Sequence, residues 1–186
     1  MNDPAPAMEP THLWAFLWEV RKQSEFAAGA YKAIEEAADA AGLWPNIQLF
    51  VGAAANLSKL LWGSHPDVEA RRAPLRAELS MAEGSPLRDR VVRNSLEHVD
   101  ERIDDWWEGA KGSGSRSILN YIDAPYLVIR ATLPDLQREE LFRHFDRETG
   151  TLRFWDAELA LRPVAVEIDR LRLAAKAAIQ RYEASA

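Results

Sequence analysis

The chain has 186 residues, 47% of them hydrophobic and 28% charged, with a net charge of −6 and no cysteine. Such a length and balance fit one soluble domain with a sizeable core. Lack of cysteine excludes disulfides and thiolate metal sites, and the acidic balance argues against duplex DNA binding, which draws on a basic surface to release counterions.

The N-terminus, Met1-Asn2-Asp3-Pro4-Ala5-Pro6, lacks the basic-then-apolar order of a signal peptide. No apolar run approaches the roughly 20 residues that span a bilayer. A cytoplasmic location without membrane contact is therefore expected. A first helix is predicted over 10–41. Leu13, Phe16, Leu17, Val20, Phe26, Ala30, Tyr31 and Ile34 recur at helical spacing, Thr11 can cap the start, and Gly42 with Pro45 makes a stop pair. A second is predicted over 46–62, apolar almost all round and hence the most buried, ended by Gly63-Ser64-His65-Pro66. The Arg-rich stretch 67–84 reads as a short helix or an ordered loop. Pro86 opens a third long helix, predicted over 87–108, and Lys111-Gly112-Ser113-Gly114-Ser115 follows as a flexible loop.

The pattern then changes. Residues 126–132 read as a strand, and 141–146 with 151–155 as a hairpin carrying Gly150 at its turn, which makes 126–155 a β insertion. A last helix over 161–183 carries Leu161, Val164, Ile168, Leu171, Ala175, Ala178 and Ile179. The expected fold is mainly α: a four-to-five-helix bundle with a small β-hairpin insertion before the C-terminal helix, all within a single domain 1–186.

The third helix carries the candidate chemistry. Val92, Leu96, Val99, Ile103 and Trp106 step by four, three, four and three, a single core stripe. On a helix turning about 100° per residue, Arg93 and His98 flank that stripe, about 140° apart across the outward side. Asn94 stacks with His98, and Arg93 with Glu97. Arg93, Asn94 and His98 therefore point away from the bundle, where a second copy packed on this helix would gather two sets into one cleft.

Arg93-Asn94-Ser95-Leu96-Glu97-His98 resembles the ribonuclease motif of HEPN helical-bundle proteins, an Arg, a polar residue and a His after four to six intervening positions. The resemblance covers the motif tightly and the bundle loosely, and the hairpin lies outside the family's minimal core. It implies a homodimer that cuts RNA without a metal or other cofactor, in a toxin–antitoxin or defence setting with a cognate antitoxin protein. His98 would handle protons at the 2′-hydroxyl or the leaving 5′-oxygen, Arg93 would stabilise phosphate charge, and Asn94 would orient His98 or the substrate. Imidazole titrates near neutrality and guanidinium matches phosphate with a planar fork of donors. One departure is the acidic run Glu97, Asp100, Glu101, Asp104, Asp105 and Glu108, which repels RNA unless Arg90, Arg102 or Arg71-Arg72 offsets it. The rival reading is a noncatalytic helical module that binds a partner or its own twin through this face.

Other constellations favour structural roles. Glu9-Pro10-Thr11-His12 is the sole Glu-x-x-His spacing and sits at a helix start, so no paired carboxylate metal site is expected. His65 precedes Pro66 in a loop, and His144 beside Phe142 and Phe145 suits a cross-strand polar role. There is no Gly-x-Ser-x-Gly elbow, and Gly112-Ser113-Gly114-Ser115 lacks the Lys of a phosphate loop. Most of the seven Trp are expected to fill the core, with Trp106-Trp107 and Trp155 wedging the hairpin against the third helix.

Overall fold

The computed structural model describes residues 8–63, 65–89, 99–110, 119–134, 141–155 and 157–185. Their order is α1 (Pro10–Glu36), α2 (Ala40–Trp62), α3 (Pro66–Arg71), α4 (Ala73–Glu78), a 3-10 turn (Pro86–Arg88), α5 (Val99–Ala110), β1 (Ile122–Asp123), α6 (Tyr126–Thr132), β2 (Arg143–Asp146), β3 (Thr151–Phe154), β4 (Ala157–Ala160) and α7 (Leu161–Ser185). The fold is mainly α, a helical bundle with a small β insertion ahead of the C-terminal helix.

α1 packs along both α2 and α7. Its buried positions, Leu17, Val20, Ser24, Ala27, Ala30 and Ile34, step by three or four and include two alanines that let a neighbouring backbone approach. The break after α1 falls at Ala37–Asp39, not at the Gly42–Pro45 pair that the sequence suggests. Ala37 turns extended, and the Asp39 carboxylate accepts the Gly42 N–H at 2.8 Å, an N-cap that starts α2 at Ala40. Pro45 thus lies inside α2. It has no N–H to give the Ala41 carbonyl, while the Asn46 side chain donates to the Gly42 carbonyl one residue on at 2.7 Å. α2 is the helix with the most buried side chains among those described, as its composition predicts. It ends at Gly63, whose φ of 68° and contact with Val68 leave no room for a Cβ.

The 67–84 stretch forms α3 and α4, held by Leu75 and Leu79, which are fully buried in the main core, and by arginines. Arg76 donates to the Leu61 carbonyl at 2.7 Å and the Glu69 carbonyl at 2.9 Å, satisfying the end of α2 from outside. Arg170 on α7 pairs with Glu167 and donates to the Leu79 carbonyl at 2.9 Å, holding the loop after α4 against α7.

The β insertion is a four-stranded sheet in the order β1-β2-β3-β4, larger than a hairpin. β1 lies parallel to β2, and β2-β3-β4 is an antiparallel meander. Gly150, at φ 65°, supplies the turn between β2 and β3. The strand expected over 126–132 is instead the helix α6. A β-branched run would favour extended chain locally, but Asp146 reaches across from β2 and accepts the Tyr126 N–H at 3.2 Å, capping a helical first turn. A long-range hydrogen bond overrides the local preference.

Alternation gives the sheet two unlike faces. Register pairs Arg143 with Phe154 and Phe145 with Leu152, so these four share one face. Phe145 and Leu152 join the main core with α1, α2 and α7. His144, Asp146, Arg153 and Glu158 occupy the opposite face. Two polar clamps dock the sheet on the bundle: Arg147, paired with Asp123, donates to the Ala37 carbonyl at 2.8 Å, and the Trp44 indole donates to the Tyr121 carbonyl at 3.2 Å.

Core packing on α2 yields a paired stability test. Phe50 is fully buried while the adjacent Leu49 is 50% exposed. Phe50→Ala should cost about 3–5 kcal/mol in urea unfolding, and Leu49→Ala less than about 1 kcal/mol; similar losses would contradict this helix orientation.

Candidate functional site

Arg93, Asn94 and His98, the catalytic candidates of the sequence, lie outside the described residues, as do the stripe positions Val92 and Leu96. Both flanks of that segment are anchored. Upstream, Leu87 in the 3-10 turn is buried in the main core, Ser85 donates to Glu167 of α7 at 3.2 Å, and Arg88 pairs with Glu69 at 3.2 Å. Downstream, Val99 and Trp106 pack against a cluster of Phe142, Phe154 and Trp155, in which the Phe142 and Trp155 rings stack at 4.2 Å. The third long helix expected over 87–108 is corrected at its start: Pro86–Arg88 is a 3-10 turn, and Asp89 is extended at ψ 120°. Its stripe is corrected too. Val99 and Trp106 are two turns apart and face the sheet, whereas Ile103 is 42% exposed and shares the outer side with Trp107 at 58%. Trp106 and Trp155 wedge helix against sheet; Trp107 does not.

The described histidines fall into structural positions. His12 is exposed at the start of α1, its ring 5.0 Å from Phe16, and His65 is exposed 3.5 Å from Asp67. His144 is fully enclosed. Its Nε2 lies 2.7 Å from the Ala124 carbonyl, which can only accept, so that nitrogen carries the proton. Nδ1 then accepts from Arg153 at 3.4 Å; Arg153 is the cross-strand partner of His144, stacks on the Tyr126 ring at 4.8 Å and pairs with Glu158 at 2.8 Å. Burial pushes the His144 pKa below its ordinary value; the nearby Arg153 charge adds to this, and the Ala124 carbonyl opposes it. Asp146, also buried, would be raised by burial, but N–H groups of Tyr126, Thr149 and Glu148 hold its pKa below the ordinary carboxylate value. This neutral imidazole and ionised carboxylate knit β1, α6 and the hairpin turn together, and they have no open path to a substrate.

Among the described residues no group of three or more His, Asp or Glu is placed to hold a metal ion, and no helix is long and apolar enough to cross a membrane. A groove that sequence reasoning missed lies between the start of α2 and the apolar sheet face, with a volume of about 530 Å³ and Arg143 and Tyr121 in its lining. Comparison with protein-family models, with curated proteins and with solved structures finds no match.

His144 makes stability depend on pH. Its folded pKa lies below the unfolded value near 6.5, so below that pH the unfolded chain binds the extra proton. The stabilisation is complete above about pH 6.5 and is lost as pH falls toward the folded pKa. Urea unfolding from pH 7.5 down to about pH 5 should show falling stability, with a shallower slope in His144→Gln; identical slopes would place the imidazole elsewhere.

Proposed function

We propose that the chain is a metal-independent, cytoplasmic endoribonuclease of HEPN type, working as a homodimer through the 87–108 region. One observation carries this reading: Arg93-Asn94 is followed by His98 at the family's shortest spacing, and the next residue in sequence, Val99, is the first described residue of α5 in a mainly helical bundle. The remaining histidines offer no competing proton carrier, since His144 is sealed in the sheet and His12 and His65 stand apart on the surface.

The reaction follows from the side chains. His98 takes the proton of an RNA 2′-hydroxyl as that oxygen attacks the adjacent phosphorus. The bond to the 5′-oxygen breaks, and that oxygen receives a proton, leaving a 2′,3′-cyclic phosphate and a 5′-hydroxyl. Because the nucleophile belongs to the substrate, no metal-activated water is required. Arg93 balances the charge that builds on the non-bridging oxygens, and Asn94 orients His98. Asp100, Glu101, Asp104, Asp105 and Glu108 on α5 repel the rest of the RNA backbone. RNA is therefore held by few cations, and its affinity should fall only shallowly with salt. A toxin–antitoxin or defence role, with a cognate antitoxin protein covering the site, belongs to the same reading.

Incubating the purified chain with a mixed RNA pool in EDTA tests it. Wild type should generate 2′,3′-cyclic phosphate ends, and His98→Ala or Arg93→Ala should lower the rate by about 10²–10⁴-fold. Equal cleavage by all three proteins, or none by any, leaves the second reading: a noncatalytic interaction module. Ile103 and Trp107, exposed one turn apart on α5, favour that alternative.

A further inference from the structure

Arg143 stands where the sheet's alternation calls for an apolar side chain. It shares a face with Phe145, Leu152 and Phe154 and opens onto the groove beside α2. Its guanidinium lies 4.1 Å from the Phe142 ring centre, 4.8 Å from Tyr121 and 5.3 Å from Phe154. One of its N–H groups donates to the Asn120 side chain at 3.1 Å. Among the described residues no carboxylate lies within ion-pairing distance of it, whereas Arg147, Arg153 and Arg170 each have one. Burial pushes the Arg143 pKa down, as expected for a cation withdrawn from water without an opposite charge. A guanidinium has five N–H donors in a planar fork, so most of its donor capacity is unused by the fold.

The groove supplies the complementary half of a site. Its volume of about 530 Å³ falls within the range of small-molecule pockets. Trp44 and Ile47 of α2 form one wall, and Leu152 and Phe154 of β3 the other. Tyr121 closes the end next to Arg143. Its φ of 60° is a left-handed conformation that costs a tyrosine energy, and it is held there by the Trp44 indole on its carbonyl and by edge-to-face ring contact at 5.3 Å. The Trp44 clamp accounts for Tyr121, but sheet pairing sets Phe154 and no carboxylate opposite the charge of Arg143 at this apolar trough.

We infer that this groove binds a small aromatic monocarboxylate, its ring between α2 and β3 and its carboxylate in the fork of Arg143. A single cation suits a monoanion, the planar fork matches a carboxylate, and the walls of Trp44, Tyr121 and Phe154 suit a flat ring. The site stands apart from the ribonuclease proposal in the residues it uses: its described lining comes from α2, Tyr121, β2 and β3.

Titration calorimetry of the full chain with naphthylacetate and its neutral isostere naphthylacetamide tests the inference. The acid should bind about tenfold to a hundredfold more tightly than the amide, as expected for a charge-assisted hydrogen bond. Arg143→Met, which keeps an apolar stem against the rings, should remove that preference. Ala41→Phe, at an exposed helix position lining the groove, should weaken both ligands at least tenfold by filling it. Circular dichroism and thermal melting check that both variants fold. Equal binding of acid and amide, a preference that survives Arg143→Met, or no saturable binding of either ligand overturns the assignment.

Discussion

The register between β2 and β3 is the constraint on which the rest of the structure depends. Pairing His144 with Arg153 and Phe145 with Leu152 sends polar and apolar side chains to opposite sides of a sheet only a few residues wide. A slip of β2 by one residue would flip that strand against β3, driving His144 and Asp146 into the bundle and Phe145 away from Leu152. Gly150 limits that slip by closing the turn with a left-handed residue, and Asp146 limits it by accepting N–H groups from the turn and from α6 at once. The sheet is thereby a fixed platform. One face completes the core of α1, α2 and α7; the other carries a buried polar network satisfied by α6 and the chain before it.

Both proposed sites border that platform. The aromatic cluster of Phe142, Phe154 and Trp155 at the end of the hairpin receives Val99 and Trp106, and so holds α5 just beyond the Arg93–His98 motif. The same hairpin carries Arg143 and Phe154 to the groove against α2. The RNA-cutting chemistry proposed for Arg93, Asn94 and His98 and the ligand site proposed at Arg143 use different residues, but both are braced by Phe154.

Much of the fold was legible because it repeats. The helical spacing of Leu17, Val20, Ala30 and Ile34 in α1, the all-round apolarity of α2 and the Leu161-to-Ile179 series in α7 each follow from burying one stripe or one whole helix. The hairpin was legible from its short apolar runs and Gly150. What failed was local reading in places where distant groups decide. Gly42 and Pro45 look like a stop, yet Asp39 captures the Gly42 N–H and makes them the first turns of α2. Tyr126–Thr132 looks like a strand, yet Asp146, twenty residues away in sequence from Tyr126, supplies a helix cap. β1 has only two residues, and β4, Ala157-Glu158-Leu159-Ala160, has no β-branched or aromatic side chain to mark it as a strand. Arg143 did leave a signal: aligning Arg143 and Phe145 with Leu152 and Phe154 across the Gly150 turn puts a charge on the apolar face. The motif at 93–98 lies outside the described residues, between the anchor of Leu87 in the main core and that of Val99 and Trp106 on the aromatic cluster.

The register is most directly tested at His144 by long-range nitrogen–proton NMR of the ring. At neutral pH the imidazole should be uncharged with its proton on Nε2, exchanging slowly with solvent because it is buried against the Ala124 carbonyl. A proton on Nδ1, a doubly protonated ring, or rapid exchange would contradict this, because none fits an Nε2–H buried on the Ala124 carbonyl with Nδ1 turned to its cross-strand partner Arg153.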